Sequence, residues 1–157
     1  MDCFYEQFQT KDYTRIEGVL NILSKAFLFI AIIFLALLNI IQAFFWGLLY
    51  FGVFILSKKI IVEYEYELTG NEFSISKIMN KSKRKELGSF NIKEISSVKT
   101  LDKISGNTKV IKAHLDDSEF KAMVYIVKTS EGVVGFELAL DYKLMELIKK
   151  VNPLIFY

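Results

Sequence analysis

The sequence predicts an α+β chain of two unlike parts: an N-terminal transmembrane helical hairpin, then an antiparallel body of about seven strands with a C-terminal amphipathic helix. Three observations carry that prediction. From Ala26 to Leu56 the chain reads AFLFIAIIFLALLNIIQAFFWGLLYFGVFIL, with only Asn39 and Gln42 polar. From Ile60 it switches to IIVEYEYELTG, where apolar and acidic residues alternate; period two with aromatic and β-branched residues marks a strand with one buried face. Near the end, Leu140, Leu144, Leu147, Ile148 and Val151 recur at the spacing of one helix face.

Composition sets the frame for both parts. Of 157 residues, 52% are apolar and 24% charged, and the two classes are segregated. Residues 1–59 hold five Lys/Arg and four Asp/Glu, none between Ala26 and Ser57, while residues 60–157 hold fifteen and fourteen. Each part is close to neutral, so no basic field argues for nucleic acid. A single cysteine, Cys3, excludes an intramolecular disulfide or a Cys-based zinc cluster, and a single histidine, His114, excludes a paired-histidine metal site. No cofactor is implied. The start, MDCFYEQFQTKDYTRIEG, is acidic and aromatic with no small-residue cleavage site after the apolar run, unlike a secretory signal.

The apolar run is long for one span, and two spans fit it better than one. As one straight helix, its 31 residues would reach about 46 Å, against a hydrocarbon core of about 30 Å. Widened to Val19–Ile61, the window places Asn39 and Gln42 at its middle. Two short spans, 19–38 and 43–59, joined by a turn at NIIQ, follow. Lys25 then lies inside the first span and must snorkel toward the headgroups, while Lys58 and Lys59 mark the boundary after the second. Lys11, Arg15 and Lys25 flank one end, Lys58 and Lys59 the other, and the turn carries no charge. The positive-inside rule therefore expects a multi-pass protein of the cell membrane with both termini cytoplasmic. Residues 1–18 are then a cytoplasmic N-terminal segment, 19–59 the anchor and 60–157 a cytoplasmic domain.

Within that domain, Ile60, Val62, Tyr64, Tyr66 and Leu68 share one face of the first strand, and Glu63, Glu65 and Glu67 the other. Three acids in a row repel, so basic neighbours across the sheet are expected. The turn TGN leads to EFSISKIMN, with Phe73 and Ile75 inward. KSKRKELGSF leads to a third strand and IKEISSVKTL is a fourth. After the turn at 105–107 comes KVIKAHL, then the loop DDSE, and FKAMVYIVKT closes through SEG onto VVGFELAL. Asp141 is suited to cap the final helix, Lys149 and Lys150 suit its C-terminal dipole, and Asn152-Pro153 ends it. Strands in this number followed by one helix are the order of a pleckstrin-homology-like (PH-like) barrel or sandwich, in which the helix plugs one open end of two bent sheets.

These residues also carry a resemblance. The stretches YELTGNEFSISKI and KRKELGSFNIKEISSV resemble the first three strands of bacterial PH-like domains attached to paired membrane helices. More closely, FYEQ at 4–7, the double apolar run, VEYEYELT and KSKRKEL look like a family of uncharacterised membrane proteins from Gram-positive bacteria, a domain of unknown function, over nearly the whole chain. The resemblance implies fold and placement. None of its motifs is a catalytic signature, and it carries no ligand onto any residue here.

The cluster Lys77, Lys81, Lys83, Arg84 and Lys85, with no acid among residues 73–85, is the candidate site. Facing the inner leaflet, each cation near anionic headgroups contributes about 1 kcal/mol; otherwise the segment is a solvated hairpin paired with Glu63, Glu65 and Glu67. His114 reads as a packed strand residue. Asp116, Asp117 and Glu119 lack the spacing and glycine of a calcium loop and read as a polar turn. SISK at 74–77 matches Ser-x-x-Lys in letters only, because on a strand residues three apart point to opposite faces. The functional expectation is a membrane-anchored, non-enzymatic binding or scaffold module offered to a protein or an anionic lipid. The alternative is an accessory subunit of a larger membrane enzyme or transporter. The oligomeric state stays open.

Overall fold

The computed structural model describes residues 4–104, 108–129 and 132–156. The strands are β1 (Phe4–Gln9), β2 (Val62–Thr69), β3 (Glu72–Met79), β4 (Lys83–Asn91), β5 (Ile95–Lys99), β6 (Lys109–Lys112), β7 (Met123–Thr129) and β8 (Gly132–Leu138). The helices are α1 (Thr14–Ala36), α2 (Ile40–Ile60) and α3 (Tyr142–Val151). The chain divides into a sheet unit, made of the residues up to Thr10 together with Glu63–Ile78 and everything from Lys83, and a helical unit of Lys11–Val62 with Met79–Ser82.

In the sheet unit the eight described strands form two four-stranded sheets, β1-β2-β3-β4 and β5-β7-β8-β6, a sandwich rather than a closed barrel. Seven strands correspond to the expected ones, with β5, β6 and β7 shorter than expected; the eighth, β1, comes from the N-terminal segment and pairs antiparallel with β2 from Phe4↔Thr69 to Gln9↔Tyr64. The β6–β8 pair is parallel, which no local pattern announces, and its register runs from Lys109↔Val134 to Lys112↔Glu137. The fourth predicted strand begins later than expected. Ile92–Glu94 is a 3-10 turn closed by a capping box between Asn91 and Glu94, and β5 starts at Ile95. The turn at 105–107 and most of SEG lie outside the described residues. The β2–β3 turn is as expected, with Gly70 at φ 62°, a left-handed conformation that costs glycine nothing.

Aromatic rings cross from one sheet to the other. Tyr66 stacks on Phe73 at 6.3 Å, Phe73 meets Phe90 at 5.5 Å, and Phe90 stacks on Phe136 of β8 at 5.3 Å. Each such buried ring contributes roughly 1.5–3 kcal/mol. The Phe136 ring comes so close to β4 that a Cβ on Gly88 would lie 2.6 Å from it, which explains a glycine inside a strand. On α3, Leu144 and Ile148 are buried, Asp141 accepts the Leu144 N–H at 2.7 Å as N-cap, and the Asn152 amide donates to the carbonyls of Ile92 and Ile95.

In the helical unit α1 and α2 are antiparallel neighbours joined at Leu37–Asn39, and no residue of either helix is buried. Asn39 is the N-cap of α2, its side chain accepting the Gln42 N–H at 3.3 Å. The polar pair inside the apolar run thus starts a helix rather than forming a loop, and α2 begins at Ile40. Tyr13, just before α1, donates its hydroxyl to the Val62 carbonyl at 2.9 Å, fastening the two outer ends of the helices together. Phe27 lies 5.7 Å from Trp46 between the helices.

Candidate functional site

The basic segment lies on β3, its turn and β4, and its five cations meet different fates. Lys77 stands 5.9 Å over the Tyr64 ring. Arg84 donates to Glu65 Oε1 at 2.5 Å. Lys81 belongs to the helical unit and pairs with Glu17 of α1, at 2.8 Å to Oε1 and 3.0 Å to Oε2. Lys83 and Lys85 are exposed on β4, the edge strand of its sheet. Charges on an edge strand also guard it against pairing with another chain, so these two side chains have a structural use besides any ligand. The expected pairing with the β2 acids is met at Glu65.

Glu65 is the unusual group. Its side chain is 2% exposed, and Oε2 has no hydrogen-bond partner. Burial pushes its pKa up, the carboxyls of Glu6 and Glu67 add to this, and Arg84 opposes it; the result is about 7. Among the other polar candidates, His114 Nε2 is also buried without a hydrogen-bond partner. Lys112 bonds Asp116. His114, placed just past β6, has Nδ1 2.8 Å from the Leu115 carbonyl and Nε2 3.4 Å from Glu137.

Residues that the sequence did not mark hold β1 in place. Gln7 and Gln9, both 6% exposed, donate to the Ala139 carbonyl at 3.2 and 2.5 Å. Gln7 Oε1 accepts the Asp141 N–H and Gln9 Oε1 the Leu115 N–H. The Tyr5 hydroxyl donates to Asp141 Oδ2 at 2.6 Å. The Phe-Tyr-Glu-Gln start is therefore a clasp between the first strand and the last helix. The signal that reveals it is the Gln-x-Gln spacing, which puts two amides on one strand face.

In the helical unit the β3–β4 turn meets the outer ends of α1 and α2. Asn80 and Lys81, at φ 52° and 54°, make a type I′ turn closed by Ser82 N–H to Met79 O at 3.3 Å, and the Asn80 N–H donates to the Ile61 carbonyl at 2.9 Å. Behind it is a cavity of about 330 Å3 with Glu17, Asn21, Ser24, Ser57 and Asn80 on its wall. Of the boundary lysines, Lys58 stands 4.0 Å over the Phe54 ring, Lys59 follows it in the last turn of α2, and Lys25 is exposed midway along α1.

Two four-stranded sheets, a C-terminal helix and two long apolar helices threaded between the first and second strands define a PH-like domain with an attached helical pair. Over residues 1–157 the chain matches the family described as Bacterial PH-like domain (DUF6106), and it belongs to that family. No curated protein and no solved structure matches the chain.

Proposed function

We propose that this chain is a membrane-anchored, non-enzymatic binding module. In this reading α1 and α2 enter the cell membrane from the cytoplasm as a hairpin, and the PH-like unit is offered at the cytoplasmic face to a protein partner or to anionic headgroups. The supporting observation is the pairing of β1 with β2. These strands stand immediately before α1 and immediately after α2, yet they are neighbours in one sheet. Strands of one sheet share one side of a bilayer, so helices inserted between them must leave and return on that side. With 23 and 21 residues and no buried position, both helices have the length and the unclaimed apolar surface that lipid would cover. The lysines and arginine at their outer ends favour the cytoplasmic side.

Magnitudes decide between anchor and patch. Lys83 and Lys85 add about 1 kcal/mol each near anionic lipid, small beside the insertion of two apolar helices, so the patch tunes contact and the hairpin holds the chain. A second reading, an accessory subunit of a larger membrane complex, is favoured by an apolar notch of about 380 Å3 formed by Ala31, Leu35, Ile40, Ala43 and their neighbours, where small residues let another helix approach.

Cys3, outside the described residues, is the only thiol, and an impermeant maleimide should leave it unmodified in intact cells. The same is expected of Tyr157→Cys in a Cys3→Ser background. Modification of either from outside overturns the orientation. Pulldown from crosslinked membranes should recover a partner, or liposome binding should be present, and either should weaken in Lys83→Glu/Lys85→Glu.

A further inference from the structure

We propose that the tip of the helical hairpin, Leu37–Ile41, ends among the acyl chains of the far leaflet and does not emerge into water on the other side. This rests on the membrane reading of α1 and α2 and adds where their connection lies.

The tip is mostly apolar: beside Asn39, whose side-chain oxygen is taken up in capping α2 at the Gln42 N–H, its other residues are all leucine or isoleucine. Leu37, Leu38, Ile40 and Ile41 are 69%, 86%, 71% and 83% exposed, and Leu38 is the most exposed large apolar side chain among the described residues. Backbone geometry makes the choice of residue sharper. The Asn39 N–H donates to Phe34 O at 2.9 Å and the Leu38 N–H to Leu35 O at 3.0 Å, the paired bonds of a Schellman helix end. Leu38 occupies its left-handed position at φ 59°. Glycine or asparagine is the usual occupant there, and a bulky side chain at that position is strained. A turn facing water has no use for a strained, fully exposed leucine; a turn in hydrocarbon does. The Schellman bonds, with the Leu37 N–H on Ile33 O at 3.0 Å, pair the N–H groups of Leu37, Leu38 and Asn39 within the turn, which lowers the cost of placing it in hydrocarbon.

Length agrees. From Lys58 to Ile40, α2 rises about 27 Å, just short of a hydrocarbon core of about 30 Å. From Lys25 to Ala36, α1 rises only about 17 Å, so keeping the Lys25 ammonium near the headgroups holds the tip shallower still. Exposed apolar side chains run from the tip along both helices, and the cations Lys11, Arg15, Lys58 and Lys59 lie at the opposite end, with Lys25 midway along α1.

The test uses the full-length chain with Leu38→Cys in a Cys3→Ser background, and Leu37→Cys as the second probe. An impermeant maleimide should fail to label either from outside intact cells or from the cytoplasmic face in inverted vesicles, and should label both after detergent solubilisation. Labelling from outside overturns the buried tip and leaves the anchor standing. Labelling only in inverted vesicles, with release of the chain by alkaline carbonate, overturns the membrane reading and the tip with it. Independently, Leu38→Lys should lose most of the carbonate-resistant fraction, because an ammonium at that depth opposes insertion. Unchanged retention would overturn the proposal.

Discussion

Glu65 shows how one buried side chain sets a pH dependence. Its carboxyl has an ordinary value of 4.5 and is raised to about 7 in the fold, by burial first, then by Glu6 and Glu67, against the pull of Arg84. A carboxyl raised on folding binds its proton more tightly in the native chain. Its contribution to stability is therefore complete below about pH 4.5 and is lost as pH rises through about 7. Glu65→Gln keeps the shape and cannot ionise. Thermal unfolding in mild detergent should show the native midpoint falling between pH 5 and pH 8, and a shallower fall for the variant. Equal slopes would mean that Glu65 is already ionised throughout that range. The same residue shows what a sequence withholds. That Glu65 would want a basic partner is readable from its neighbours, whereas the choice of Arg84, and of Glu17 for Lys81, depends on contacts between residues 19 and 64 positions apart.

Among the elements, β1 is the one the sequence conceals, and the reason is an inverted pattern. Strands β2 and β3 bury apolar residues and are legible by alternation. In β1, Gln7 and Gln9 are buried, while Phe4 and Phe8 are 63% and 51% exposed. A reader who assumes that apolar residues face inward turns this strand over or leaves it as a tail. The parallel β6–β8 pair was hidden for another reason, since pairing direction follows the path of the chain and leaves no local mark. Helix α3 was legible to its ends because its cap, face and stop are each written in single residues. The inversion makes a prediction contrary to hydrophobicity. Gln9→Ala removes the shorter of the two amide bonds to the Ala139 carbonyl, which Gln7 still reaches, and the acceptor for the Leu115 N–H; leaving that N–H unpaired costs about 1–3 kcal/mol. Phe4→Ser should change stability by no more than about 0.5 kcal/mol, as surface substitutions do. Chemical denaturation of the two variants decides it, and a larger loss from Phe4→Ser would sink the clasp.

For the whole molecule, the helical pair is an insertion in a β-hairpin. Gln9 already faces Tyr64 across the β1–β2 ladder, so a turn of a few residues in place of 10–63 would close the same sheet. The sheet unit then needs both sides of the insertion, because β1 brings the two buried amides and covers the edge of β2. Two deletions separate this view from one in which the domain starts after the anchor. A chain with residues 10–63 replaced by a short Asn-Gly turn should be soluble, monomeric and cooperative in unfolding. A chain beginning at Val62 lacks β1; it leaves the Ala139 carbonyl and the N–H groups of Leu115 and Asp141 without their partners and bares a strand edge that invites association. It should unfold at lower temperature or aggregate on size exclusion. If the two chains behave alike, the N-terminal strand is dispensable, and the proposed return of the helices to one side of the membrane loses its physical basis.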